Sequence, residues 1–251
     1  MSASIAIQNS DLDFDHGTFD SAAFAAKALA DWQSLAAVID HSLVKSDATR
    51  QQVEALCAEA ARYRFACVVV NPVWTATAVS LLAGTGVPVG ATIGFPLGAS
   101  LVSTMRYEAE ALIRLGAREL GMVLPIGQMK SGNHDAVHHT IHSVAAVAHH
   151  HGAALKVNLE TCLLTMQEKL RASEIAIQAG ADFINTATGF ASGGATSADV
   201  ALMRGVVGAR CGVKAAGRIR TAALVRTLLD AGANRIGSSA SVAILRELGA
   251  E

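Results

Sequence analysis

The feature that most constrains this chain is a repeated pattern. From about residue 38 onward, short β-branched runs alternate with helix-forming segments rich in Ala, Leu, Glu and Arg, one pair in roughly 25 to 35 residues. The strand candidates are Val38-Ile39, Cys67 to Val70, Val89 to Ile93, Glu119 to Val123, Leu155 to Leu159, Phe183 to Asn185, Gly212 to Lys214 and Arg235 to Gly237. Between them, Arg50 to Tyr63, Thr104 to Leu115, Glu168 to Ala179, Ala198 to Val207 and Ala222 to Ala231 read as helices. Gly116, Gly180 and Gly232 stand just past three of these, where a left-handed residue closes a helix. Eight strand–helix units in about 215 residues predict an α/β fold of the (β/α)8 TIM-barrel type. A doubly wound open sheet, the alternative, would have fewer strands and an early GxGxxG, which is absent.

Ahead of the barrel, residues 1 to about 17 read as a loose arm. Phe19 to Ala37 has helical spacing, with Phe24, Leu29, Trp32 and Leu35 as an apolar stripe. The organisation expected is an arm and capping helix over 1–35 and a barrel domain over 36–251, with no Pro- or Ser-rich linker between. A net charge of -1 gives no general case for nucleic-acid or membrane-surface binding, and 4% aromatics leave little for base stacking. Cys57, Cys67, Cys162 and Cys211 are widely spaced without a CxxC, as in reduced thiols. Met1 to His16 lacks the basic start and apolar run of a signal peptide, and no apolar run reaches the ~18 residues of a membrane span, so the expected location is the cytoplasm.

A barrel of this kind keeps its chemistry where strands end and the following loops begin. Polar residues there are Asp40, Asn71, Glu160, Asn185 and Lys214. In strand five, Lys156, Asn158 and Glu160 share one face and Leu155, Val157 and Leu159 the other, so the polar face is expected inside the barrel. Charges there need partners. Either Lys156 and Glu160 neutralise each other or Asp40 as scaffold, or they take part in catalysis. Lys214 is the strongest single candidate, as an imine nucleophile, a fixed cation or a proton donor, against a structural ion pair. Gly217-Arg-Ile-Arg-Thr221 and Arg235-Ile-Gly-Ser-Ser239 pair glycine backbone with Arg or Ser near helix starts, which suits a phosphate site after strands seven and eight. His134, His138 and His142 fall on one helical face. That spacing could ligate a metal, but a solvated outer helix explains it as well, and no metal site is assigned.

Several stretches together resemble the deoxyribose-phosphate aldolases: Ile39-Asp-His-Ser-Leu-Val-Lys45, Val70-Asn-Pro72, Ile93-Gly-Phe-Pro-Leu-Gly98, Glu160-Thr-Cys-Leu-Leu-Thr165, Thr186-Ala-Thr-Gly-Phe190, Gly193-Gly-Ala-Thr196, Gly212-Val-Lys214 and Gly237-Ser-Ser239. The resemblance runs from about Val38 to Leu245. It implies a class I aldolase barrel without metal or other cofactor, often dimeric, acting on a small carbonyl compound. By the same resemblance Asp40 matches an active-site aspartate, and Lys214 the lysine that tunes the nucleophile. Gly189, Gly217, Gly237, Ser238 and Ser239 match phosphate contacts. The departures lie inside the site. Asn185 stands at the position of the imine-forming lysine, Gly121 at that of a catalytic aspartate, and Arg218 at the second glycine of a phosphate-binding pair.

An amide forms no Schiff base, so the expected function is a divergent lyase that makes or breaks a C–C bond next to a carbonyl in a small anionic substrate. Lys214 would stabilise the enolate or form the imine. Asp40 or Glu160 would move protons, and Asn185 would bond the carbonyl or a hydroxyl. Gly121 leaves room for a bulkier substrate, and Arg218 could grip a phosphate or carboxylate or fill the pocket instead. The alternatives are a non-catalytic sugar-phosphate-binding paralogue and an acid–base isomerase or cyclase. The assembly expected is a homodimer.

Overall fold

Eight parallel strands pair in chain order and close on themselves in the computed structural model, which describes residues 18–251. The expected N-terminal arm lies outside the described residues. The strands are β1 (Ile39–Leu43), β2 (Cys67–Val70), β3 (Val89–Ile93), β4 (Glu119–Val123), β5 (Ala154–Asn158), β6 (Phe183–Asn185), β7 (Gly212–Ala216) and β8 (Arg235–Ser238). β8 pairs with β1, Asp40 opposite Gly237, so no sheet edge is left open. The helices are α1 (Ser21–Ala28), α2 (Trp32–Ala36), α3 (Arg50–Tyr63), α4 (Thr75–Leu81), α5 (Val102–Arg114), α6 (Ile126–Lys130), α7 (His134–His150), α8 (Met166–Gln178), α9 (Ser197–Val207), α10 (Ala222–Asp230) and α11 (Ser241–Arg246). This is the (β/α)8 TIM barrel expected, with a helical extension in front of it.

Strand parity sorts the residues. Leu120, Met122, Leu155, Val157, Ile184, Val213 and Ile236 are buried under the helices. The alternate residues, Asp40, Cys67, Glu119, Lys156, Asn158, Asn185, Lys214 and Arg235, fill the barrel interior, so the inside is polar and the apolar core is the shell between sheet and helices. Helix starts are fixed by side chains. Thr49 with Gln52 closes a capping box on α3, and Thr165 with Glu168 does so on α8. Gly116, Gly180 and Gly232 follow α5, α8 and α10 with φ of +104°, +96° and +111°, the cap positions read from sequence.

The N-terminal segment is two helices, not the single one expected over Phe19 to Ala37. Asp31 accepts the Ser34 N–H at 2.6 Å and caps α2, as Asp20 caps α1. An aspartate that bonds forward in this way starts a helix rather than continuing one. α1 rests on α10 and α2 on α11, and Ala25, Ala28, Leu35 and Ala36 join the same apolar core as the barrel. β1 runs to Leu43 rather than stopping at Ile39, because barrel-facing Asp40 and Ser42 replace the apolar residues that usually announce a strand. Among the described residues no helix is long and apolar enough to cross a membrane.

Candidate active site

A cavity of about 390 Å³ opens where the strands end, the end at which barrels of this type carry their sites. Lys156, Asn158, Asn185 and Lys214 line it from the inner faces of β5, β6 and β7, beside Gly121 of β4. Gly189, Gly217, Arg218, Gly237, Ser238 and Ser239 line it from β8 and the loops after β6 to β8, and Phe95 and Phe190 stand at its side with rings 5.3 Å apart and edge-on.

The charges beneath the cavity form one network. Asp40 Oδ2 accepts from Lys214 Nζ at 2.5 Å and from Lys156 Nζ at 2.6 Å. Lys156 also meets Glu119 Oε2 at 2.5 Å, and Arg235 lies 3.5 Å from Asp40 and 3.4 Å from Glu119. Two carboxylates thus face three cations. Burial alone would push the Asp40 and Glu119 carboxyls up, but Lys156, with Lys214 and Arg235 behind it, holds Asp40 well below the ordinary carboxylate range. Lys156 and Arg235 hold Glu119 down in the same way. The two lysines diverge. Burial opposes the charge of both, yet Lys156 has two carboxylates and its pKa is raised. Lys214 has only the shared Asp40 oxygen, feels Lys156 as a like charge, and its pKa is lowered. Lys214 is therefore the amine in this network that loses its proton more readily.

Asn185 occupies the inner face of β6 next to Lys214 of β7, its register partner. It is 4% exposed. Its Nδ2 donates to Asn158 Oδ1, and Asn158 Nδ2 donates to the Met122 carbonyl at 2.9 Å. Asn185 Oδ1 has no hydrogen-bond partner among the described residues. A Cβ built on Gly121 would have nothing nearer than Asn158 Nδ2 at 3.8 Å, so the room expected there is present.

At the rim, Gly189 and Gly217 have φ of +88° and +96°, and a Cβ on Gly217 would meet Ala187 Cβ at 3.1 Å and Gly194 Cα at 3.2 Å. Backbone packs on backbone here, which requires glycine. Arg218 takes a left-handed turn, φ +62°, and its exposed guanidinium reaches the Ala191 carbonyl at 3.4 Å.

The structure bears on five of the residues read from sequence. Glu160 does not face the lysines. It is left-handed, φ 55°, just past β5, and that turn sends its carboxylate to the Thr188 N–H at 3.1 Å and to the Thr188 hydroxyl. Lys156 pairs with Asp40, one of the two scaffold partners expected, and with Glu119 in place of Glu160. Asp40 is fully buried beneath Lys214 and does not line the cavity. Arg235 starts β8 at the opposite end from the anion rim and belongs to the charge network. Ser238 lines the cavity as expected, and its hydroxyl donates to the Ile219 carbonyl at 2.8 Å, which ties the β8 loop to the β7 loop. Gly237 lines the cavity as expected but also has a packing role: a Cβ there would meet Lys214 Cε at 2.7 Å, so its bareness gives the lysine its path. Glu119 is the network member that sequence reading passed over, and Arg235 the one it put at the anion rim.

Asp40, Cys67 and Glu119 bring three ligand-type atoms within 4.8 Å of one another, the one such group among the described residues. The Lys156 ammonium lies against both carboxylates, and burial with the two carboxylates pushes the Cys67 thiol well up, so the set favours its lysine over a metal. His138 and His142 stack at 5.9 Å on the outer helix α7, away from the cavity.

A family model described as DeoC/LacD family aldolase matches residues 10–248. Over 213 residues the chain is 50% identical to a deoxyribose-phosphate aldolase of Geobacillus sp. (strain WCH70), which covers 84% of this chain and 95% of that one. It is 48% identical over 217 residues to a deoxyribose-phosphate aldolase of Lysinibacillus sphaericus (strain C3-41), covering 86% and 96%. Among solved structures, the deoxyribose phosphate aldolase from Aeropyrum pernix, described as tetrameric, superposes with a TM-score of 0.84 at 31% identity, covering 91% of this chain and 96% of that one.

Proposed function

This chain belongs to the DeoC/LacD family of aldolases, which are lyases, and from that premise we propose that its working amine is Lys214, acting on a small anionic carbonyl compound. The observation that carries the reading is the unequal sharing of Asp40. One carboxylate oxygen serves two ammonium groups, and only Lys156 has a second carboxylate. Lys214 thereby gives up its proton more readily than Lys156 does, and it lines the cavity. A buried lysine with a lowered pKa is a nucleophile toward carbonyls.

The neutral amine adds to the substrate carbonyl, the carbinolamine hydroxyl takes up a proton from water in the cavity and leaves as water, and a protonated imine results. The electron pair of the breaking C–C bond moves into that cation. The departing fragment becomes a carbonyl as its hydroxyl gives up a proton to water, the enamine left on the lysine takes up a proton on carbon to become a protonated imine again, and hydrolysis of that imine frees the lysine. Arg218 and the Gly189, Gly217 and Ser239 backbone at the rim hold the anionic group, phosphate or carboxylate. Lys156 stays charged and sets the pKa of its neighbour, and Gly121 widens the cavity for a substituent. Deoxyribose 5-phosphate, the substrate that the relatives' name implies, is one to assay first, and the changes at Asn185 and Gly121 favour a different one. The assembly we propose is a homodimer, which light scattering distinguishes from a tetramer.

The test is chemical. The protein is incubated with acetaldehyde, acetone or hydroxyacetone, reduced with borohydride and mapped by mass. The expected adduct is on Lys214 and is lost in Lys214→Met. An adduct on another lysine overturns the reading. Turnover abolished in Lys214→Met without any adduct assigns the lysine to enolate stabilisation instead.

A further inference from the structure

The amides of Asn158 and Asn185 form a chain with a fixed sense. They are register partners on the inner faces of β5 and β6. Asn158 Nδ2 lies 2.9 Å from the Met122 carbonyl oxygen. A carbonyl only accepts, so that end of Asn158 is its NH₂ group. Its oxygen must then turn toward Asn185 and accept from Asn185 Nδ2. The same Nδ2 faces the Ala187 carbonyl at 3.5 Å. Turning the Asn185 amide over would set its oxygen against two other oxygens. What the chain leaves over is Asn185 Oδ1, buried, without a partner among the described residues, on a side chain that lines the cavity beside Lys214.

We propose that Asn158 is a positioning residue that fixes Asn185 as a hydrogen-bond acceptor, so that the site selects carbonyl substrates carrying a hydroxyl one or two carbons from the carbonyl. The placement of the carbonyl rests on Lys214 as the working amine. The sense of the amide chain does not. Adjacent strands run about 4.8 Å apart, so a carbonyl carbon held at Lys214 brings its near substituents within reach of Asn185. An ammonium group fits less well than a hydroxyl, because the neighbouring network already carries three cations against two carboxylates. A buried acceptor left bare by a deoxy ligand discriminates against that ligand. The relay also answers what an asparagine does at position 185. It offers the ligand a fixed acceptor where an ammonium group would offer only donors.

The discriminating measurement compares hydroxyacetone with acetone, each titrated against the unreduced protein by ligand-observed NMR. Hydroxyacetone is expected to bind about tenfold more tightly, the equivalent of one net hydrogen bond. In Asn158→Leu the Asn185 amide is free to turn, and the ratio should fall toward one. Equal binding of the two ketones by the unaltered protein overturns the proposal, and this comparison stands even where the variant does not fold. A ratio kept intact in a folded Asn158→Leu removes the positioning role. The borohydride experiment separates the two ideas. A Lys214 adduct with no preference for hydroxyacetone defeats the acceptor alone, and a preference with no adduct on Lys214 defeats the imine lysine alone.

Discussion

One oxygen of Asp40 holds two ammonium groups, and the difference between those groups is the chemistry of this site. Lys156 acts on Lys214 only through that oxygen and through space, as a like charge that lowers its neighbour's pKa. Removing the charge in Lys156→Met is therefore expected to raise the Lys214 pKa and move the pH profile of borohydride labelling to higher pH, while Lys156→Arg keeps the profile near its place. Lys156→Met also leaves Glu119 with Arg235 alone at 3.4 Å, and breaking a buried pair of this kind costs about 3–5 kcal/mol, measurable by urea unfolding. A profile that stays put would show that burial alone sets Lys214. Lys214 and Asn185 were legible in the sequence because they are polar residues of inward parity in short strands, Asn185 ending β6 and Lys214 two residues short of the end of β7. Glu119 and the role of Arg235 were not, because both begin their strands, and a search for polar residues at strand C-termini does not weigh the opposite end. Asn158 was legible as an inward residue, but its partner depended on the register between β5 and β6, which local sequence does not carry.

At the scale of elements, the loop after β6 is held by a residue of the loop after β5. Glu160 takes the left-handed turn there and binds both the N–H and the hydroxyl of Thr188, one residue before Gly189 and two before Phe190. Glu160→Ala is expected to loosen this loop, cost about 2 kcal/mol of stability and weaken competition by inorganic phosphate several-fold, while borohydride labelling of Lys214 by acetone persists. Loss of the acetone adduct as well would return Glu160 to the chemistry itself. The barrel strands were readable because apolar and β-branched residues alternate with helix formers, and β2, β3, β4 and β6 fall where the sequence puts them. The failures have local causes. β1 hides behind Asp40 and Ser42, polar residues chosen for the barrel interior, and His41, which bonds Glu59 and Ser241 on the helix side. The first helix breaks at Asp31, where a cap outcompetes the apolar stripe that runs through it. Glu160 continues the strand parity in sequence but leaves the strand in space, because a single left-handed residue ends the alternation.

For the whole molecule, a barrel with a charged interior should show its network in the pH dependence of stability. On the acid side three buried groups act together. His41, held between Glu59 and Ser241, has its pKa lowered by burial from 6.5, so the unfolded chain takes up that proton first and stability begins to fall below about pH 6.5. Glu119 and Asp40 have lowered values against ordinary ones of 4.5 and 3.8. Their contribution is complete above about pH 5 and is lost as the pH falls through and below that range. The alkaline side tests the central claim. Lys214 is lowered from 10.5, so between its folded value and 10.5 the unfolded chain binds the extra proton and stability rises with pH. Lys156 is raised, so what it contributes is present up to its ordinary 10.5 and lost above it. The thiols of Cys57, Cys67 and Cys211, pushed up by burial from 9.0, favour unfolding as the pH passes 9 and mask the lysine in the raw curve. The informative quantity is the difference in urea midpoint between the parent chain and Lys214→Met, taken at pH 8, 9 and 10. That gap should move in favour of the parent as the pH rises. Movement the other way would mean that folding tightens the proton on Lys214, and a lysine held so firmly in its charged form is no nucleophile.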